Sequence, residues 1–569
     1  METKLTYTTP DLEQVTTLSQ KIGCHPVLAA LLCDRGIQTP EAAHFFLHPT
    51  FQQLKDPFSL KDMDKAVHRI HTAVVNKEKI LIFGDFDADG VTATSLLHEF
   101  LTHADADVTW YIPHRIKEGY SLNLPHIDLA VQLAVDLIIT VDCGVGSIDA
   151  VKAALLEDID VIITDHHEPG DVLPPALAIV NPKRKDCPSG LEYLAGVGVA
   201  FYLVMALRKY FRDQGVWQEI DEPSLLGYLD LFAIGTIGDM VPLIDDNRVL
   251  CLAGLKQMQA GRRPGLVSLA NTCRLDVKQL DSDDISYKLV PRINAAGRIA
   301  HARICVSHLT AATLHDAQTT AGLLDELNLK RQQIEKEIVL DIEHRIFRDP
   351  SLLDHHLLVL CDGRWNPSVL GIAASRLARK YVCPVVLLSH SDPLAIGSCR
   401  SINNINIHQA LAENSHLLER FGGHTMAAGL ALKKENIDLL RSGIAAHLKT
   451  HYIEEDFSKT LTIDARLDIQ DITIDLARQI DQLRPFGTAN PEPVFVCQNL
   501  KVISSHIIGN LHRKMILQNA DTPSGYCVEA FHFNCSNTKN PPEYYIKIAF
   551  KLKINKFKPA AVQIIIQDF

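Results

Sequence analysis

At 569 residues, 47% hydrophobic and 22% charged, the chain has the balance of a folded globular protein and is too long for one ordinary core, so three or four domains are expected. Its 13 cysteines are scattered, odd in number and free of any CxxC pair, which fits reduced thiols in a cytoplasmic protein better than a disulfide framework or a zinc knuckle. The polar, acidic start excludes a secretory signal, no apolar run nears the roughly 20 residues that span a bilayer, and the net charge of −12 excludes a wholly basic surface but not a local basic groove.

Residues 1–75 read as a helical leader, with apolar positions at helical spacing over 27–32 and again over 63–75. Near residue 80 the pattern changes. Lys79-Ile80-Leu81-Ile82-Phe83 is a short apolar run ending in glycine and acid, and 91–101 continues at helical period, giving strand, loop, helix. The order recurs: Leu137-Ile138-Ile139-Thr140-Val141 ends at Asp142, a helical stretch covers 148–156, and Val161-Ile162-Ile163-Thr164 ends at Asp165. Such alternation predicts an α/β domain over 76–310 with a parallel, doubly wound sheet. In these sheets the site lies beyond the carboxyl ends of the strands, where these acids fall.

Residues 311–348 read as a connecting helix. From 315 to 348 there is no proline and no glycine but Gly322, and Leu323, Leu324, Leu327, Leu329, Ile334, Ile338, Leu340, Ile342 and Ile346 fit one long charged helix. It reads as a strut between domains, the alternative being a helix packed within one. A second α/β pattern occupies 349–455, with apolar runs at 357–360 and 385–388 around a helix over 369–380. From 456 to 569 the chain is β-rich. Ile546, Ile548, Phe550, Leu552 and Ile554 alternate with Lys547, Lys551, Lys553 and Asn555, a period-2 strand with one basic face. Residues 501–569 hold nine Lys or Arg (501, 513, 514, 539, 547, 551, 553, 556, 558) against four acids. A small basic β domain suits a groove that tracks a single strand. A lysine-rich edge that resists aggregation is the alternative.

Gly84-Asp85-Phe86-Asp87-Ala88-Asp89-Gly90 sets three carboxylates directly after a strand. Alone, a solvated loop or a calcium site explains such a triplet equally well. It is joined by Asp142 in Val141-Asp142-Cys143-Gly144, by Asp165-His166-His167, and by Asp239 after the apolar segment 229–238, all placed at successive strand ends. A lone His166 or His167 reads as a core histidine. Together the four clusters predict convergence at one sheet edge, where aspartates and a single imidazole suit Mn²⁺ or Mg²⁺ better than thiolate-loving zinc. Two ions there would activate water and hold the oxyanions of a phosphoryl displacement.

The Asp165-His166-His167 tripeptide, with Asp87-x-Asp89 before it and Asp142 and Asp239 in order, is similar to the DHH phosphoesterase superfamily. Asp34-Arg35-Gly36-Ile37, Ile112-Pro113-His114-Arg115 with Glu118-Gly119-Tyr120, and Leu194-Ala195-Gly196-Val197-Gly198-Val199-Ala200 narrow the resemblance to the RecJ family. So do Pro291-Arg292-Ile293-Asn294-Ala295-Ala296-Gly297-Arg298, Phe421-Gly422-Gly423-His424, Met426-Ala427-Ala428-Gly429 and Pro485-Phe486-Gly487-x-x-Asn490-Pro491. The resemblance implies a DHH domain, a DHH-associated substrate domain and a C-terminal OB-like barrel. It implies a single-strand-specific 5′-to-3′ exonuclease of DNA repair and recombination, with two divalent ions, Mn²⁺ ahead of Mg²⁺. Asp87, Asp89, Asp142, His166 and Asp239 would be ligands, with Asp85 and His167 as catalytic neighbours. Gly422, Gly423 and His424 would form a substrate loop that phosphate can approach closely. Arg298, Arg376, Arg400 and Arg420 would be phosphate clamps, and Lys547, Lys551 and Lys553 would line a nucleic-acid groove. Without the resemblance the glycines read equally as a plain turn and each arginine as a surface residue. A helicase, a single-strand binding protein and a monomeric state are further family expectations.

The chain departs from the family pattern at Asn366 and Ser368 (usually His and Gly), at Cys399 (usually Gly) and at Ala489 (usually Gly). These departures leave the acids untouched and bear on substrate grip, since Cys399 adds a side chain where backbone would approach DNA. Two other readings compete: a DHH hydrolase of short oligonucleotides or cyclic dinucleotides, and an inactive scaffold that binds single strands. Length and the basic tail weigh against the first, and the full set of acids against the second.

Overall fold

Every residue of Ile80–Gly84 and Leu137–Val141 is buried, because both faces of the sheet they form are covered. Five parallel strands lie side by side in the order Val108–Tyr111, Ile80–Gly84, Leu137–Val141, Asp160–Thr164 and Ala178–Val180. Ile80, Ile82, Leu137 and Ile139 join one core with the helices Met63–Asn76, Ala88–His103, Gly196–Asp213 and Leu229–Gly238. Leu81, Phe83, Ile138 and Ile163 pack on the other face under Leu124–Gln132 and Ile148–Leu156. The second strand of this sheet in chain order, Val108–Tyr111, lies outside the first, so the winding reverses between Ile80–Gly84 and Leu137–Val141. That switch point opens a crevice at the carboxyl edge, bordered by the segments that follow Gly84 and Val141. The computed structural model describes residues 3–218, 220–391, 393–509, 511–521, 525–535, 541–555 and 561–569; Lys539, Lys556 and Lys558 of the basic tail lie outside them.

The residues read as a leader divide between the two ends of the molecule. Met63–Asn76 covers the first sheet, whereas Val15, Leu18, Leu28, Leu31 and Leu32 share a core with Phe495, Phe550 and Ile564 near the C-terminus. Lys4–Tyr7 pairs in parallel with Thr460–Ile463. Short amphipathic helices cannot bury an apolar face alone, and these bury theirs against a domain more than 400 residues away in sequence.

Leu314–Arg348 is one helix of 35 residues, roughly 50 Å long. Its Leu324 belongs to the first core, while Ile338, Val339, Ile342 and Ile346 pack on the second α/β domain, so it joins the two. Leu323, Leu329 and Leu340 are exposed, and Asn328 and Arg331 take buried places instead. The second sheet runs Leu418–His424, Ala427–Lys433, Leu394–Arg400, Val385–Ser391, Leu358–Cys361, and only the last pair is parallel.

Five strands near the C-terminus close a barrel: Phe495–Ile508 pairs with His512–Asn519 on one side and Tyr544–Ile554 on the other, and Cys527–His532 and Val562–Asp568 complete the ring. Ile548, Phe550 and Leu552 point into it as their alternation predicts, but Ile546 is 83% exposed. Two of the three lysines on the basic face are already paired, and Lys547 is half-buried. Lys551 pairs with Glu492 at 3.1 Å, and Lys553 with Glu492 and, at 3.5 Å, with Asp283 of the first domain. Beside this joint, Asn490 donates to the Leu483 and Pro485 carbonyls and accepts from Arg35 Nε, each at 2.8 Å, and Leu243 N donates to Thr488 O at 2.9 Å. The Pro485–Pro491 motif is thus a structural knot between leader, first domain and barrel. Ala489 occupies it at φ +60°, which explains why glycine is usual there.

Candidate metal centre

Asp85 follows the Ile80–Gly84 strand, and Asp87 caps the next helix, accepting from Asp89 N at 3.0 Å and Gly90 N at 3.2 Å. Asp89, in the first turn of that helix, is held by the start of another: Gly196 N donates at 2.6 Å and Val197 N at 2.8 Å to its two oxygens. Gly196 has to be glycine, because a Cβ there would fall 2.4 Å from the Asp142 Cβ. Asp142 sits at φ +61°, a conformation that a short polar residue tolerates, and its N–H donates to Thr164 O at 3.0 Å. His166 and His167 follow the Asp160–Thr164 strand. Asp239 corrects one expectation: it arrives from the C-terminal cap of a helix, Leu229–Gly238, not from a strand. That run is buried along all but its last residue, so it has no polar face to betray its helical period.

These groups converge. His166 Nε2 lies 3.2 Å from Asp142 Oδ1, 3.6 Å from Asp239 Oδ2 and 3.8 Å from Asp89 Oδ2. Ligand atoms cluster within 4.8 Å in three sets: Asp89, His166 and Asp239; Asp85, Asp87 and Asp142; and Asp142, His166 and His167. Oxygens around an ion with bonds of about 2.1 Å sit about 3 Å apart, so little movement would complete such shells. Burial first, and Asp87 second, raise the Asp89 carboxyl to about 7; burial and then Asp89 raise Asp239 to about 8. Asp85 and Asp142 are pushed well above the carboxylate range by burial and by neighbouring aspartates. Burial and His167 push His166 down to about 3. Asp85 Oδ1, Asp142 Oδ1 and His166 Nδ1 are buried without hydrogen-bond partners, a cost that divalent cations would remove at the oxygens. The donor set, oxygen-rich with imidazole, fits Mn²⁺ or Mg²⁺.

His167 behaves oppositely to its neighbour. Burial alone would lower it, but the bond from its Nδ1 to Asp165 at 2.8 Å, and that carboxylate's charge, raise it to about 9. Asp165 also accepts from His166 N at 2.7 Å, His167 N at 3.0 Å and Val145 N at 2.9 Å, so it sets the whole turn. Tyr120 Oη lies 3.2 Å from His167 Nδ1. Both line an open cleft of about 640 Å³ together with Ser121, Gly144, Ser147 and Asp165. Asp165, Tyr120 and Asn294, whose Oδ1 accepts from Ala88 N at 2.8 Å, were not among the expected site residues.

Two of the four expected arginines come together. Arg298 donates to Ser368 O at 2.6 Å and is lowered to about 9 by burial, then by Arg115 and Arg400, against the pull of Asp87. Arg115, missed as a site residue although its motif is recognisable, lies over the Phe86 ring at 4.7 Å. Arg376 instead faces Glu335 of the connecting helix at 3.5 Å, and Arg420 is exposed on an edge strand. Gly422, Gly423 and His424 form no loop; they end that strand, Leu418–His424, in a hairpin with Ala427–Lys433. Gly423, at φ +144°, admits no Cβ, which would fall 2.3 Å from Ala427 O, whereas one on Gly422 would meet open space. The Asn366–Ser368 turn is satisfied locally, Ser368 N donating to Asn366 Oδ1 at 2.9 Å. Cys399 is wholly buried in the domain core, so its side chain adds nothing to the domain's surface.

Three family descriptions cover most of the chain: DHH family, N-terminal domain, over residues 79–236; DHHA1 domain over 354–450; and RecJ OB domain over 463–568. The single-stranded-DNA-specific exonuclease RecJ of Bacillus subtilis is 37% identical over 514 residues, covering 90% of this chain, which spans 64% of that protein's length. The proteins of the same name from Haemophilus influenzae and Escherichia coli are 34% and 33% identical, with 95% of both chains covered in each case. The structure of Thermus thermophilus RecJ with Mn²⁺ matches at a TM-score of 0.82 and 26% identity, covering 100% of this chain and 79% of that one. The complex of RecJ from the same organism with Mg²⁺ matches at 0.75 and 25%, covering 100% and 78%. The acidic crevice, the three domains and relatives matched nearly end to end agree: the chain belongs to the RecJ family of single-stranded-DNA-specific, metal-dependent exonucleases.

Proposed function

We propose that this exonuclease degrades single-stranded DNA from the 5′ end, releasing nucleotides during repair and recombination, with two divalent ions, Mn²⁺ in preference to Mg²⁺. Asp87, Asp89, Asp142, His166 and Asp239 would hold the ions, with Asp142 belonging to one set and lying 3.2 Å from His166 of the other. The observation that carries this is the meeting of the Asp85–Asp87–Asp142 and Asp89–His166–Asp239 sets, with unpartnered oxygens on Asp85 and Asp142. When bound, such ions supply Lewis acidity and a water that ionises near neutral pH.

The chain's own groups would do the rest. Arg115 and Arg298, whose charges act near Asp87, and Arg400, which neighbours both arginines, would grip a backbone phosphate over the acids. His167, kept protonated by Asp165, would donate to that phosphate and stabilise the charge that develops on it. Asp85 would orient the attacking water. The hairpin edge at Gly422, Gly423 and His424 would offer backbone to the strand beyond, with Arg376 and Arg420 along its track. The same reading makes the protein a cytoplasmic monomer working with a helicase and a single-strand binding protein. No helix among the described residues is long and apolar enough to cross a membrane.

The test is digestion with Mn²⁺ of an oligonucleotide labelled at either end, of its duplex, and of a cyclic dinucleotide. Early release of a labelled mononucleotide from the 5′ end, with the duplex and cyclic dinucleotide spared, is expected. Equal digestion of blunt duplex, or release beginning at the 3′ end, would overturn the proposal.

A further inference from the structure

Away from the acidic crevice, the second α/β domain brings a carboxylate and two imidazoles together. Glu413 ends the Ile407–Glu413 helix, and His447 and His451 lie one turn apart at the end of Ile437–His451. One ligand-capable atom of each lies within 4.8 Å of the others. The site is built by close packing. A Cβ on Gly443, one turn before His447, would fall 1.9 Å from Asn414 Oδ1, so glycine lets the end of the first helix seat against the 443–447–451 stripe and present Glu413 to it.

His451 Nδ1 lies 3.0 Å from the His447 carbonyl, and donating to it leaves the Nε2 lone pair available. His447 is 4% exposed, with Nδ1 2.7 Å from Glu413 Oε2 and Nε2 buried without a hydrogen-bond partner. The two rings stack at 4.3 Å. Two imidazoles and a carboxylate are a donor set for Zn²⁺ and similar late first-row ions, unlike the aspartate-rich crevice.

We propose that Glu413, His447 and His451 form a second metal site, taking a divalent cation of the Zn²⁺ class with a remaining position left to water. An ion there clamps the two helices. The clamp reaches the substrate side, because Ile407 N donates at 3.0 Å to Thr425 O, in the turn beyond His424, and the His408 and Phe421 rings are 5.5 Å apart. Occupancy would therefore stiffen the hairpin that carries Gly422 and Gly423.

Zn²⁺ binding to the full chain by equilibrium dialysis tests this, and because the carboxylates and imidazole of the acidic crevice would also offer ligands to Zn²⁺, the readout is a difference between proteins. Glu413→Gln and His451→Ala should each bind one equivalent fewer than wild type, with Mn²⁺-dependent hydrolysis unchanged. In an Asp142→Ala background, Zn²⁺ should raise the melting temperature, and adding His451→Ala should abolish that rise. His451 is exposed, so its replacement should leave the metal-free melting temperature unaltered. Equal Zn²⁺ stoichiometry in wild type and both variants, or a Zn²⁺-induced rise that survives His451→Ala, would reduce the cluster to an ion pair between helices.

Discussion

The first sheet and the barrel each concentrate charge of one sign and treat it in opposite ways. At the carboxyl edge of the sheet, Asp85, Asp89, Asp142 and Asp239 are raised by burial and by one another, and oxygens of Asp85 and Asp142 lack partners. On the barrel, Lys551 and Lys553 are drawn to Glu492, and Lys553 also to Asp283. Buried charge left uncompensated is costly and persists where a ligand brings the missing counter-charge. Charge that is already paired at half-buried positions marks a joint. Both clusters are conspicuous in the sequence, and only the uncompensated charge separates the reactive one from the structural one.

Removing the Asp142 carboxylate should break the contrast most severely. Asp142→Ala should lower Mn²⁺-dependent turnover at least about 10²-fold, the scale of losing one strong electrostatic stabiliser. Its metal-free melting temperature should change little, because the relief of crowding among buried carboxyls offsets the cost of alanine at φ +61°. Near-wild-type single-turnover rates would remove Asp142 from the centre. Next in size is Asp165→Asn. The Asp165 carboxylate holds His167 protonated up to about 9; without it the imidazole loses its proton from about its ordinary 6.5 upward. The loss in rate should therefore be small at pH 6 and reach about 10- to 100-fold at pH 8, as for other groups that orient a reactive side chain. A pH–rate profile lowered equally at all pH values would contradict this role.

The barrel side of the comparison predicts smaller effects. Changing Lys551 and Lys553 together to Gln should cost about 1 kcal/mol of stability in a melt, and leave the salt dependence of single-strand binding unaltered. Lys547→Gln alone would flatten the slope of log K against log salt by about 0.7 if this lysine meets one phosphate. A flattening of about twice that in the Lys551 and Lys553 double variant would return those lysines to DNA. The smallest effect belongs to the knot beside them. Ala489→Gly relieves a left-handed backbone and should stabilise the protein by about 0.5–1 kcal/mol in denaturant unfolding.

Much of the centre is legible from sequence because Asp87, Asp89, Asp142 and His166 each follow closely on an apolar strand, and a parallel sheet brings such ends to one edge. Asp239 is legible as a residue but not as a helix cap, since Leu229–Gly238 is buried on every side. Asp165 and Arg115 are harder. The first acts through a turn that folds its carboxylate back onto His167, and the second matters only where three distant segments bring Arg115, Arg298 and Arg400 together. The leader's place is illegible for a related reason: nothing local ties Leu28 or Leu31 to Phe550. Cys399 shows the reverse error, a departure that looks obstructive until strand alternation turns its side chain into the core.

The most direct test of the central claim is anomalous scattering at the manganese edge from crystals grown with Mn²⁺. Two peaks about 3.5–4 Å apart, with the Asp142 carboxylate between them and Asp89, His166 and Asp239 around one, are expected. A single peak, or peaks away from Asp142, would contradict the account.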